Sequence, residues 1–292
     1  MSDPSYSIVI ATYRRESVLI ETIEALLRLA PSADEILVVD QSEQHEPRVA
    51  AALADFASEG RIRHLRLVAP NIPAAMNEGL RSARAGFVLF LDDDIRPAPN
   101  LVAAHCAARA ATGALLIAGR VVQPWHKADA PALPQTPVGR RAGFVDEFFG
   151  GNFSIDRRAA LALGGFDENF ARAAYRFEAE FAHRWRRSSQ RIYYAPEAAL
   201  FHLKVPTGGT RAFGDHLRTV KPDHAVGEYY CLLRTASGWR TLRDFLRRPL
   251  RAIATRHHLA APWWIPLTLI GEARAMVWAI TLALRGPRLS RS

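Results

Sequence analysis

Continuous apolar runs alternate with helically spaced apolar residues through the first third of the chain. Residues 6–11 (YSIVIA) read as a strand buried on both faces. In residues 16–29, Val18, Leu19, Ile23, Leu26 and Leu27 recur at helical spacing and stop before Pro31, so a helix is expected there. Residues 36–39 (ILVV) predict a second strand, closed by the polar triplet Asp40, Gln41 and Ser42. A helix over 49–57, a strand over 62–68 and a helix over 74–84 follow. Residues 87–91 (FVLFL) then form a buried strand that runs directly into Asp92, Asp93 and Asp94. Strands alternating with helices predict a parallel sheet flanked by helices. Ligands of such sheets bind beyond the carboxyl ends of the strands, where Thr12, Asp40 and the aspartate triplet converge.

The later pattern is less regular. A helix over 101–111 and a strand over 114–122 precede residues 124–137, which hold four prolines and read as a long surface loop. Residues 174–187 form an amphipathic helix carrying Glu178 and Glu180, and 192–194 and 199–202 read as two short strands. Residues 204–211 (KVPTGGTR) form a basic, glycine-containing loop. From residue 214 the chain is helical and rich in arginine. Residues 259–284 are apolar and bear Trp263, Trp264 and Trp278, but Pro262, Pro266, Glu272 and Arg274 should interrupt them as a membrane-spanning helix. Tryptophans beside arginines suit a membrane interface, and packing on the rest of the protein would suit them equally.

Composition narrows the class. The 292 residues, 49% of them hydrophobic, belong to a globular chain, and two cysteines cannot build a disulfide framework or a four-thiolate metal site. No cleavable leader is recognised at the start, so a cytoplasmic location is expected, with a possible peripheral place on the inner face of the cytoplasmic membrane. The net charge of +9 favours anionic partners without choosing among them.

The aspartate triplet carries the chemistry. Three adjacent anions are too costly to bury uncompensated, so they belong at the exit of their strand. Asp92 and Asp94 point to one side and Asp93 to the other, because extended side chains alternate. Such a pair offers oxygens to a hard divalent cation. A solvated acidic turn is the plain alternative, and the buried strand just before it argues against that.

Five segments carry a family resemblance: YSIVIATYRR, ILVVDQS, NIPAAMNEGLRSARAGFVLFLDDD, GGNFSIDRRAALALGGFDENF and RIYYAPEAALFH. Together they look like the GT-A fold glycosyltransferases of family 2, the inverting enzymes. The implied fold is α/β: a Rossmann-like, nucleotide-diphospho-sugar transferase sheet, mixed and flanked by helices, with a helical C-terminal extension. Residues 1–211 would form the GT-A domain and 212–292 the basic extension.

The resemblance implies a nucleotide-sugar donor (UDP-, dTDP- or GDP-sugar), Mn²⁺ or Mg²⁺, and a hydroxyl acceptor in a glycan, a lipid-linked molecule or a small molecule. No nucleic acid partner is expected. Thr12, Tyr13 and Arg14 resemble the first nucleotide-contacting turn, Asp40 the contact to the base, and Asn77 the donor-side helix. Asp92 and Asp94 resemble the D-x-D motif, Asp92 nearer the ribose, with Asp93 beside the donor and His202 completing the metal site. Where the family often carries arginines before the asparagine, this chain has Ala74 and Met76, which leaves the diphosphate to Arg14, Lys204 or Arg211. Gly151, Asn152 and Glu180 are the acceptor-side expectations. Glu178 stands where the family's catalytic aspartate stands, which makes it the expected general base; it lies about 200° from Glu180 around a helix. A sugar-nucleotide nucleotidyltransferase is the enzymatic alternative, although residues 11–16 lack its glycine-rich phosphate loop. A binder of nucleic acid or anionic surfaces is the non-catalytic one.

Overall fold

The apolar runs form the centre of one mixed sheet in the computed structural model, which describes residues 5–125, 139, 141–172, 175–214, 219–235 and 238–290. Strands β1 (Tyr6–Thr12), β2 (Glu35–Asp40), β3 (Arg63–Arg66) and β4 (Phe87–Leu91) run parallel. Helices α1 (Ser17–Leu27), α2 (Pro47–Ser58) and α3 (Ile72–Ser82) connect them. Strand alternation explains the continuous apolar runs: Val9, Val88 and Phe90 enter one apolar cluster, while Ile8, Ile10, Leu89 and Leu91 enter the other. Helices α1 and α2 cover the second cluster, α3 the first. At the start of α3, the side chain of Asn71 accepts the Ala74 N–H at 3.0 Å.

Beyond β4 come β5 (Ile95–Pro97), α4 (Leu101–Thr112), β6 (Leu116–Val122), β7 (Gly143–Val145), β8 (Asn152–Asp156), α5 (Arg157–Ala162), α6 (Phe177–Arg187) and β9 (Ile192–His202). Among the described residues the strand order is β3, β2, β1, β4, β8, β6, β9, β5, with β7 paired to β9. β8 enters antiparallel between β4 and β6, which makes the sheet mixed. Because the chain steps from β1 toward β3 and returns to β4 on the other side, the sheet has a switch point between β1 and β4.

Two local expectations change. The short strands expected at 192–194 and 199–202 are one strand, since β9 pairs with β6 on both sides of a register shift that ejects residues 196–198, including Pro196, from the ladder. Most of the proline-rich loop, residues 126–138, lies outside the described residues.

Past residue 211 the chain forms α7 (Val226–Thr235), α8 (Trp239–Ile253), α9 (Arg256–Ala260) and α10 (Ile265–Arg285). Tyr229, Tyr230, Phe245, Ala275, Ala279 and Leu282 from these helices share an apolar cluster with Phe166, Phe170, Phe181 and Trp185. Of the interruptions expected in the apolar segment only that at Pro262 occurs, where α9 ends at Ala260 and a short turn over Pro262–Trp264 leads into α10. Pro266 sits in the first turn of α10, and Glu272 turns inward to accept the Tyr229 hydroxyl at 2.6 Å and to pair with Arg248. The 24-residue stretch Pro262–Arg285, whose most apolar 18 residues have mean hydropathy 1.5, is therefore long and apolar enough to cross a membrane, yet one of its faces packs on the protein. After α10 the tail straps across the turn that precedes α6. Ser290 N–H donates to the Gly164 carbonyl at 2.8 Å, Arg288 N–H to Asp167 Oδ1 at 2.9 Å, and the Asn169 side chain to the Gly286 carbonyl at 2.9 Å.

Candidate functional site

A cavity of about 360 Å³ opens at the switch point, between the carboxyl ends of β1 and β4, the Gly150–Gly151 turn, the start of α6 and the loop after β9. Each wall owes its place to the local backbone. β1 ends at Thr12 and β4 at Leu91, so Thr12 and the aspartate triplet leave the sheet side by side. The Thr12 hydroxyl donates to Asp93 Oδ2 at 2.8 Å and ties the two strand ends together.

The triplet splits as extended geometry requires. Asp93 turns inward to Arg15, whose Nε donates to its Oδ1 at 2.9 Å; burial beside two other carboxylates nevertheless pushes its acid up to about 6. Asp94 is also buried, and burial alone would raise it, but His202, Arg15 and the Val205 N–H hold it below the usual carboxylate range. Asp92 retains the most solvent, with 40% of its side chain exposed, and the burial of the remainder, with Asp94 beside it, raises its acid against the pull of His202.

Asp92, Asp94 and His202 face one another. His202 Nε2 is 2.8 Å from Asp94 Oδ1, and Nδ1 is 3.7 Å from Asp92 Oδ2. Asp94 Oδ1 is shielded from solvent and receives no well-directed hydrogen bond despite that proximity. Two carboxylates and an imidazole around an unsatisfied oxygen fit a divalent cation with oxygen and nitrogen preference. Among the described residues no three such side chains are already gathered in coordinating geometry, so binding would require the Asp94–His202 pair to separate.

The loop after β9 closes one side of the cavity. Lys204 and Arg211 line it, and burial lowers the Lys204 ammonium despite Asp92 and Asp94 nearby. Arg15 holds this loop by donating to the carbonyls of Val205 and Thr207, while Gly209 N–H donates to the Tyr13 carbonyl at 2.7 Å. Gly208 packs so closely that a Cβ would stand 2.2 Å from the Arg14 carbonyl oxygen. Phe213 stacks on Tyr13 with ring centroids 5.8 Å apart.

Glu178 faces the triplet across consecutive glycines. A Cβ on Gly150 would meet Glu178 Oε1 at 2.9 Å, and one on Gly151 would meet Asp92 Oδ2 at 2.0 Å, so the two carboxyls bracket this dipeptide. Burial, with the Asp92 charge adding to it, raises the Glu178 acid to about 7, against backbone N–H donors and Arg176. Its place in the first turn of α6 favours the anion through the helix dipole, and burial outweighs that. A carboxyl so poised can accept a proton near neutral pH.

Thr12, Tyr13, Asp92, Asp93, Asp94, Gly151, Glu178, His202 and Arg211 thus line one cavity. The other expected contacts turn elsewhere. Asp40 is fully buried; burial would raise it, but His64, the Ser42 N–H and His45 hold its acid far below the usual range, and these bonds engage its carboxylate within the protein. Asn77, also buried, bonds to both backbone groups of Phe166 and to Glu168. Asn152 donates to the Arg120 and Ala198 carbonyls and accepts from His105. Arg14 takes a left-handed backbone and pairs outward with Glu43. Glu180 is buried under a bidentate bond from Arg184. Gln41, Asn71, Arg172, Tyr175 and above all Arg15 also line the cavity without having been singled out. The left-handed turn at Arg14 reverses the side-chain alternation that would otherwise have brought Arg14 inward.

The family model described as glycosyl transferase family 2 matches residues 7–180. No curated protein sequence matches the chain. Among solved structures it is similar to GalNAc-T7 with UDP, GalNAc and Mn²⁺, at 14% identity and a TM-score of 0.64, over 92% of this chain and 55% of that one. It is similar to the mannosyltransferase PcManGT from Pyrobaculum calidifontis with GDP-Man and Mn²⁺, at 19% identity and a TM-score of 0.57, over 98% and 80% of the two chains. A third similar structure is S. aureus TarS 1–349 with UDP-GlcNAc, at 14% identity and a TM-score of 0.61, over 90% and 79%. The chain spans little more than half the length of GalNAc-T7, and at these identities the likeness is one of fold.

Proposed function

Because the chain belongs to glycosyl transferase family 2, we propose that this glycosyltransferase moves a sugar from a nucleoside-diphosphate sugar to a hydroxyl acceptor with inversion, using Glu178 as general base. The observation that carries the reading is the bracket around Gly150 and Gly151, with Glu178 on one side and Asp92 on the other. In a single displacement the acceptor oxygen bonds to the anomeric carbon as the bond to the diphosphate breaks. Glu178 takes the acceptor hydroxyl proton, and the electron pair of the broken bond leaves on the diphosphate.

Asp92, Asp94 and His202 would hold a divalent cation, Mn²⁺ or Mg²⁺, which when bound supplies Lewis-acid stabilisation of the departing diphosphate. Lys204 and Arg211 add positive charge on the loop that closes the cavity. Arg15 bridges Asp93 and Asp94 as a shared counter-charge and fixes that loop. Tyr13 and Phe213 present aromatic faces at the rim, suited to a nucleobase. The UDP and GDP sugars of the structural neighbours support a nucleotide-sugar donor here.

The test offers UDP-, GDP- and dTDP-sugars with Mn²⁺ and follows both the nucleotide product and the anomer of the released sugar by NMR. Release of a nucleoside diphosphate with an inverted anomer is expected, water serving as the acceptor at first. Formation of a nucleoside triphosphate and a sugar 1-phosphate once pyrophosphate is added would establish the nucleotidyltransferase alternative, and a retained anomer would remove the single displacement.

A further inference from the structure

The amphipathic character of α8 has no counterpart in the catalytic reading. At about 100° per residue, Trp239, Leu242, Leu246 and Leu250 fall within an arc of about 80°. All four are exposed, Trp239 at 73% and Leu250 at 63%. Arg243, Arg247 and Arg251 occupy the adjoining arc, also in solvent, whereas Thr241 and Phe245 point into the body. The apolar exposure continues past α8: Leu259 is 83% exposed and Trp263 68%. On α10, Ile270, Val277, Ile280 and Leu284 form an exposed stripe opposite the packed residues Gly271, Ala275, Ala279 and Leu282. Exposed tryptophan and leucine at such a spacing mark a surface that is covered by a partner.

We propose that the surface carried by α8 and residues 259–263 docks peripherally on an anionic lipid bilayer. Charge selects this occupant. Residues 239–261 hold six arginines, of which Arg248 is turned to Glu272, and one acid, Asp244, which is itself held by Arg243 at 3.1 Å and Arg251 at 3.7 Å. A second copy meeting the surface about a two-fold axis would set arginine against arginine. Lipid phosphates and carboxylates complement them, while the apolar stripe enters the boundary between headgroups and acyl chains.

Docking is along the surface, with α10 retained on the body. Glu272, in the middle of α10, accepts the Tyr229 hydroxyl and pairs with Arg248 of α8. Drawing α10 across a bilayer would carry that carboxylate into hydrocarbon and strip both partners from it. The fold therefore presents the arginine helix and the adjoining tryptophan turn as one attached element.

The test is co-sedimentation of the full chain with phosphatidylcholine vesicles, alone or with about one third phosphatidylserine. Binding is expected only with phosphatidylserine and should weaken as salt rises. An Arg243→Gln/Arg247→Gln variant should partition about fivefold less per charge removed. A Leu246→Ser/Leu250→Ser variant should lose binding while keeping the thermal midpoint of the unmodified chain. Quenching of tryptophan emission by brominated lipid supplies a readout that needs no variant. Equal binding to pure phosphatidylcholine, absence of binding, or a dimer dissociated by the leucine substitutions with vesicle binding unchanged would overturn the proposal.

Discussion

Glu178→Gln keeps the shape of the side chain and removes its basicity. Turnover should fall by roughly 10²–10⁴-fold while the nucleotide-induced thermal shift stays intact. Since burial raises the Glu178 acid to about 7, the rate of the unmodified enzyme should climb with pH through about 7, and the variant should lack that limb. A carboxyl raised on folding stabilises the folded state while protonated, and that contribution is lost as pH rises from the ordinary value of 4.5 toward 7. The variant's thermal midpoint at pH 8 should therefore equal or exceed that of the parent. Asn77→Ala has the opposite signature: it leaves the buried backbone groups of Phe166 without partners, so stability should fall by about 1–3 kcal/mol in denaturant titrations, with donor affinity unchanged. At this scale the sequence revealed residue types better than directions. The triplet was legible because three charges cannot stay inside a strand. The protein partners of Asp40, Asn77 and Asn152 were not legible, because a polar side chain near a ligand rim looks the same whether it faces the ligand or completes the backbone behind it.

The loop over residues 203–213 is held as a unit, and its hold can be measured. In Gly208→Ala the new Cβ would meet the Arg14 carbonyl from a backbone at φ +75°. Strain of about 1–3 kcal/mol should weaken nucleotide binding by roughly five- to 150-fold, read by calorimetry, with the thermal midpoint of the free protein nearly unchanged. Unaltered affinity would mean that the loop contributes nothing to the donor site. Elements of the first half were legible because burial on both faces forces uninterrupted apolar strands, and helices over them need an apolar stripe. The antiparallel entry of β8 was not, since a five-residue buried strand carries no mark of direction. Nor was the continuity of α10: Glu272 reads as a break until Tyr229 and Arg248, distant in sequence, are placed against it.

For the molecule as a whole, the helices beyond residue 211 are structural partners of the catalytic half. Tyr229, Tyr230, Phe245 and Leu282 bury against Phe166, Phe170 and Phe181. At about 1.5–3 kcal/mol for each large apolar side chain, losing four would consume the roughly 5–15 kcal/mol that a domain commonly has in hand. A chain ending at residue 214 should thus aggregate or lack a cooperative melting transition, and a transition near the full-length midpoint would refute this. The sequence showed that this region is helical and basic, but its place in the core rests on long-range contacts that no local pattern records. The strap of residues 286–290 has a further consequence, for synthesis. Arg288 and its partner Asp167 are 121 residues apart. At translation rates of about 5–20 residues per second, the turn preceding α6 waits roughly 6 to 24 s for its last hydrogen bonds. On the ribosome, the turn ahead of the helix that bears Glu178 must stand without its strap until residues 286–290 have emerged, so a nascent chain carries the triplet long before that turn is fixed.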